Sequence, residues 1–156
     1  MNNGVEHVKW FLRIFKQRLT DCWLQEWRGR IFESTRYTFY KQFKFDVCLE
    51  SYLEKGLHSK MRICLTRFRL GISILKTHIY RYKPNVNPND LLCPLCNDGV
   101  DDELHFFYDC IVNENLRRTF LVDILPDDTQ RTLIFLSNSD KIVPVAKFIY
   151  FSTLLR

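Results

Sequence analysis

Four residues near the centre of the chain have the types and spacing of a zinc site. Cys93 and Cys96 flank a Pro-Leu dipeptide, and His105 and Cys110 complete the set within eighteen residues. Zinc prefers thiolate and imidazole ligands in a tetrahedron, and these side chains supply four. Because a catalytic zinc normally keeps one position for water, a closed Cys3His set predicts a structural Zn²⁺ ion and no enzyme.

Two other interpretations of these cysteines stay open, namely a chance grouping of thiols and a disulfide. Residues 1–16 lack the uninterrupted apolar core of a secretory signal, which favours a reducing, intracellular compartment, nuclear or cytoplasmic. The remaining cysteines, Cys22, Cys48 and Cys64, fall on apolar helical faces and are interpreted as small core residues. The isolated histidines His7, His58 and His78, the last of them in a predicted loop, are expected to be surface or packing residues.

Charge is segregated along the chain of 156 residues, whose net charge is +5. Residues 55–83 contain eight Lys or Arg and no acid, whereas residues 84–115 contain seven Asp or Glu and no Lys or Arg. Three thiolates around one Zn²⁺ leave a charge of about −1, so the metal segment adds no positive potential. Phosphate contacts are therefore expected from the basic segment before it. No apolar run approaches the roughly 20 residues that cross a bilayer, so no membrane is expected as a partner. No small-molecule substrate is expected either, because the closed metal site argues against an enzyme.

The elements that must position these residues are predicted to be helices. We expect a mainly α fold, a small helical domain with an inserted CCHC zinc knuckle, divided into an N-terminal helical segment, 1–54, and a segment 55–156 that packs with it. Apolar residues recur at three- and four-residue steps, as in amphipathic helices. The predicted helices cover residues 5–27, 46–54 with Asp46 as N-cap, 59–75 with a bend or end at Gly71, 113–121, 126–136 and 144–155, and the structure of residues 28–44 is left open.

The basic segment is a candidate nucleic-acid surface. If the helix continues past Gly71, Arg62, Arg69 and Lys76 share one flank at seven-residue steps, where they could follow a phosphate backbone. An alternation of aromatic residues and cations follows, a combination that can stack bases and hold phosphates. The alternative is a solvated helix whose cations neutralise the acidic knuckle, in a protein-interaction or structural module. The candidate residues are Lys60, Arg62, Arg67, Arg69, Lys76, Tyr80, Arg81, Tyr82 and Lys83.

Several of these motifs together resemble the C-terminal region of reverse transcriptases from non-LTR (LINE-type) retrotransposons. The resemblance covers about residues 60–118, with support from residues 145–150. It implies that Cys93, Cys96, His105 and Cys110 bind zinc and that the region helps to hold RNA or DNA beside a polymerase domain. The polymerase's own Asp-Asp pair, set in an apolar strand, has no counterpart in Asp101-Asp102 or Asp127-Asp128. The resemblance rests on Leu65-Thr66-Arg67-Phe68-Arg69-Leu70, Gly71, Ser73, Arg81-Tyr82, Cys93-Pro94-Leu95-Cys96 and the run from Asp102 to Cys110.

Overall fold

The computed structural model describes residues 3–37, 39–42, 44, 46–124, 136 and 140–156, with side chains from residue 6 onwards. Within these ranges the chain is mainly helical and has no β-strand, which confirms the predicted fold class. None of the described helices is both long and apolar enough to span a membrane. The helices are α1 (Asn3–Phe32), α2 (Ser51–Glu54), α3 (Ser59–Arg69), α4 (Lys76–Tyr80), α5 (Glu114–Phe120) and α6 (Ile142–Leu154).

The core lies between α3 and α6, which pack against each other, and α5 covers another side of α6. Phe68 of α3 and Phe148 of α6 are almost fully buried. Between them lie Phe106 and Phe107, with ring centroids 5.2–5.4 Å from those of Phe68 and Phe148. Since Phe106 directly follows His105 in the chain, the predicted metal loop is joined covalently to the centre of the core.

The predicted helix over residues 59–75 is shorter than expected. Helix α3 ends at Arg69 because Gly71 adopts a φ of 67°, a left-handed conformation that favours glycine. A Cβ on Gly71 would lie 2.8 Å from a guanidinium nitrogen of Arg81, so a larger residue would also have to displace this flexible side chain. Lys76 therefore begins a separate helix, and the proposed alignment of Lys76 with Arg62 and Arg69 along one continuous helix is wrong.

Other predicted elements differ in extent. The helix predicted over residues 46–54 is reduced to α2, because residues 46–50 form no helix and Asp46 instead pairs with Arg28 at 3.3 Å. The predictions for residues 113–121 and 144–155 are confirmed to within two residues by α5 and α6. The helix predicted over residues 126–136, including Asp127-Asp128, lies outside the described residues apart from Leu136.

Helix α1 is longer than predicted, and its apolar side is uncovered within the described structure. Every residue from 6 to 23 is exposed, including Phe11, Phe15 and Leu19. The assignment of Cys22 and Cys48 to the core is wrong, because both are exposed, whereas Cys64 is half-buried. Periodicity placed Cys22 on an apolar face correctly, but an apolar face lies in the core only where another element covers it.

Candidate metal centre

The first two cysteines lie on a tight turn at the end of a short backbone hairpin. Leu92 and Val100 form an antiparallel bridge, and the Cys93 amide donates to the Gly99 carbonyl at 3.1 Å. Asn97 adopts a φ of 54°, and its backbone amide donates a hydrogen bond to the Cys93 carbonyl at 2.9 Å. Asparagine and glycine tolerate such left-handed positions, so the sequence Asn97-Asp98-Gly99 fits this turn.

The other two ligand residues lie at the two ends of one π-helical turn, His105–Asp109: His105 is its first residue, and Cys110 follows it directly. Asp102 begins this turn by accepting the His105 amide proton on its carboxylate at 2.8 Å. At the other end, the Cys110 amide donates to the His105 carbonyl at 2.8 Å, a bond between residues five apart. The wider turn therefore carries His105 and Cys110 to the same side, towards the hairpin.

The four predicted side chains converge, and their donor atoms all lie within 4.8 Å of one another. The Cys93 and Cys110 sulfurs are 3.9 Å apart, and the Cys96 sulfur lies 3.2 Å from His105 Nε2. A tetrahedron with metal–sulfur bonds of about 2.3 Å has sulfur–sulfur edges of about 3.8 Å, so these spacings fit a zinc ion. The chain has no disulfide among the described cysteines, so the set is available as thiols.

Burial favours the protonated form of the metal-free Cys110 thiol. Cys93 and Cys110 are fully buried, and desolvation raises the pKa of Cys110 to about 11. Proximity to Cys93 raises this pKa as well, whereas backbone hydrogen bonds from Val112 and Asn113 act in the opposite direction. Because a metal ligand must be the thiolate, a bound cation here would replace the proton and compensate the buried negative charge.

We predict that Gly99→Ala weakens the site. Gly99 has a φ of 74°, and a Cβ built on it would lie 2.8 Å from His105 Nδ1. The substitution combines backbone strain of about 1–3 kcal/mol with displacement of the imidazole. We expect lower thermal stability and faster loss of metal to a chelator, measured by thermal unfolding and a colorimetric zinc indicator. Gly29→Ala, on α1 with no atom near the added methyl group, is the control: it should retain the metal and should not lower the thermal stability, because alanine favours a helix interior.

Sequence reasoning missed the buried carboxylate that joins the knuckle to the rest of the molecule. Asp101 is fully buried and forms a bidentate ion pair with Arg156, with oxygen–nitrogen distances of 2.6 and 2.7 Å. Its carboxylate also accepts the Lys76 amide at 2.9 Å, at the beginning of α4. The acidic composition of the knuckle gave no sign that one carboxylate, unlike its neighbours, would point inward.

A second connection runs through His78, which is part of α4 and is buried, so its placement in a loop is wrong. Nδ1 of His78 lies 2.8 Å from Ser73 Oγ and accepts the Ser73 amide, while Nε2 lies 2.7 Å from Glu103. Burial acts to raise the pKa of Glu103, but the hydrogen bond from His78 Nε2 acts in the opposite direction, and that pKa lies below its usual value. The row Ser73–His78–Glu103 therefore holds α4 against the knuckle.

Two of the predicted nucleic-acid residues contact other segments of the molecule. Arg69 is buried, lies 2.9 Å from Glu50, and places its guanidinium over the ring of Tyr52. Arg81 donates to the Arg36 carbonyl at 3.2 Å and packs on Gly71. The prediction that Arg69 is a surface contact for a phosphate backbone is therefore wrong, because helical spacing cannot show which cations the fold turns inward. Arg81 is half-buried, and its contact with a phosphate backbone stays a prediction.

The other predicted residues remain on the surface or partly so. Lys60, Arg67, Tyr82 and Lys83 are exposed, and Arg62 and Lys76 are half-buried. Within the described ranges, none of the five cations in this group forms a salt bridge with an acid. The Tyr80 ring lies between two of them, 5.7 Å from Lys76 Nζ and 4.5 Å from Lys83 Nζ. Tyr82, which is 65% exposed, is the better stacking platform of the two tyrosines.

The chain was compared with models of known protein families, with curated proteins and with solved structures, and none of the three comparisons found a match. Its function must therefore be inferred from its own residues. These are a compact Cys3His cluster joined to a helical core, and cations outside the cluster that form no salt bridge with an acid among the described residues.

Proposed function

We propose that this protein binds one Zn²⁺ ion as a structural staple and binds nucleic acid through the basic surface beside it. The zinc part of this proposal is supported by four donor atoms, three cysteine sulfurs and one imidazole nitrogen, that lie within 4.8 Å of one another. All four positions of a tetrahedron are taken by protein ligands, so no position remains for a reacting water. The ion would fix the hairpin to the π-helical turn and, through Phe106 and Asp101, to α4 and α6.

The nucleic-acid part of the proposal rests on the cations that the fold leaves without an acidic partner. Lys60 and Arg67 are seven residues apart on α3, which places them two turns apart on one face. Lys76 and Lys83 add charge around Tyr80, and Tyr82 offers an exposed ring. The resemblance to the tail of non-LTR reverse transcriptases supports the same role, with RNA or DNA as ligand and a polymerase domain as a further partner.

We expect the affinity for nucleic acid to depend steeply on salt. If Lys60, Arg62, Arg67, Lys76 and Lys83 all contact phosphates of duplex DNA, log affinity should fall against log salt with a slope of about −4 to −5. Lys60→Gln/Arg67→Gln should reduce the slope by about two, because two phosphate contacts are lost. Fluorescence anisotropy with labelled duplex DNA and single-stranded RNA, on a sample with measured zinc content, gives both quantities.

The matched control is Lys9→Gln/Arg13→Gln, which removes the same charge from α1. It should leave the slope nearly unchanged, whereas an equal loss in both variants would mean that only net charge matters. A flat salt dependence, or no binding at low salt, would exclude the nucleic-acid role. If that sample still contained about one zinc per chain, the structural zinc site would remain supported without the nucleic-acid role.

A second candidate function, a protein-interaction module, is favoured by the uncovered apolar side of α1. Exposed apolar patches of this size commonly mark protein interfaces. One form of this alternative, in which the basic segment neutralises its own knuckle, has less support. Within the described residues the buried Asp101 pairs with Arg156, and Glu103 pairs with His78, rather than with the exposed cations of α3.

A further inference from the structure

The apolar side of α1 is uncovered in the described structure. Six of its side chains are each between 51% and 60% exposed. The rings of Phe11 and Phe15 contact each other along the helix at 6.1 Å, but within the described residues neither packs on another element. A long single helix with such a stripe is marginal in water without a partner surface. The six side chains are Val8, Phe11, Leu12, Phe15, Leu19 and Trp23.

The spacing within this stripe is that of a coiled coil. Val8, Leu12, Phe15, Leu19 and Cys22 follow one another at steps of four, three, four and three residues. This is the a/d repeat of the heptad, in which Leu12 and Leu19 take a and Val8, Phe15 and Cys22 take d. The next a position is Glu26, which ends the apolar repeat after about two heptads.

The residues beside the apolar stripe fit a second copy of the chain in parallel orientation. The g positions are Phe11 and Arg18, and the e positions include Lys16 and Trp23. In a parallel pair, each g residue faces the e residue five positions later in the other helix. Phe11 then meets the second copy's Lys16, and Arg18 meets its Trp23, so each of these cations faces an aromatic ring rather than a like charge.

The available area is sufficient for a weak but specific pair. The three aromatic side chains would each bury about 150–250 Å² if fully covered, and the valine and two leucines less, so the six half-exposed residues offer at most roughly 600 Å² per copy. Two copies would bury up to about 1,200 Å², the lower limit of the usual range for specific interfaces. We therefore expect dissociation in the micromolar range.

From the spacing, the flanking pairs and the area, we propose that α1 binds the α1 helix of a second copy of this chain as a short parallel coiled coil. The apolar stripe forms the interface. Because the pair is parallel, both chains leave the coiled coil at the same end, through Phe32, and the two zinc-binding bodies follow from there. The proposal is independent of nucleic-acid binding and of the identity of the metal.

Cys22 provides the first test, because d positions of a parallel pair face each other within the Cα separation of about 4.4–6.8 Å that a disulfide spans. In an antiparallel pair with overlapping stripes, the two Cys22 residues would lie on the order of 15–25 Å apart. The zinc-loaded full-length chain is treated briefly with diamide, which accepts the electrons and protons of the two thiols, and is analysed on a non-reducing gel. A covalent dimer is expected for the unaltered chain and for Cys48→Ser, but not for Cys22→Ser.

The second test measures association without crosslinking. Sedimentation equilibrium between about 1 and 200 µM should show a rise from the 18.8 kDa of one chain towards twice that mass. Leu12→Glu should abolish the rise, whereas Ile14→Glu, the same kind of change on another side of α1, should preserve it. A single-chain mass at every concentration, equal effects of the two variants, or a crosslink through Cys48 would overturn the proposal.

Discussion

Cys110→Ser is expected to lose the bound zinc and more than about 4–5 kcal/mol of folding stability, an amount that single substitutions reach only through mechanisms such as the loss of a metal. The Cys110 sulfur is fully buried, 3.9 Å from that of Cys93. A serine hydroxyl is a poor zinc ligand, so only three of the four ligands would remain. Structural zinc contributes about 10–16 kcal/mol of apparent folding free energy in isolated zinc-finger peptides. The aromatic core beside the knuckle reduces that dependence here.

Metal analysis and urea unfolding, each with and without a chelator, would measure this effect. The unaltered chain should contain one zinc and should be destabilised by the chelator, whereas Cys110→Ser should show neither property. Cys64→Ser is the control, since this half-buried thiol lies on α3 outside the cluster and should retain the metal. If Cys110→Ser kept one zinc and its stability, the four residues would not be the ligand set.

Asp101→Ala is expected to cost about 3–5 kcal/mol, the usual result of removing one partner from a buried ion pair. The substitution leaves the Arg156 guanidinium buried without its carboxylate, and it removes the acceptor of the Lys76 amide. The knuckle, α4 and the chain after α6 all meet at this side chain. Its loss should therefore loosen three segments together, although no metal ligand is touched.

Urea unfolding of Asp101→Ala, Arg156→Ala and the double variant would isolate the pair. The double variant should cost less than the sum of the single ones, because it leaves no buried charge unpaired. Asp98→Ala is the matched control on the same knuckle, and its exposed side chain should matter little. Additive effects of Asp101→Ala and Arg156→Ala would contradict the role of the ion pair.

The sequence by itself determined the local features of this protein. Cysteine and histidine spacing within eighteen residues predicted which four side chains converge, because a tight turn and a single helical turn fix their relative positions without distant contacts. Helical periodicity likewise predicted the mainly α class and placed α1, α5 and α6 within a few residues. The end of α3 depended on the conformation of Gly71, which the sequence marked as either a bend or a stop.

Only the tertiary structure decided which polar side chains are internal. Arg69 looked like a surface residue, yet it is buried and finds its partner far along the chain, at Glu50. His78, predicted as a surface or packing residue in a loop, is a buried helical residue whose partner is Glu103. The same applies to Asp101, whose partner Arg156 is the last residue of the sequence. A periodic pattern gives the direction of a side chain on its own helix, but burial depends on whether another segment covers that face. For the apolar side of α1, no described segment does.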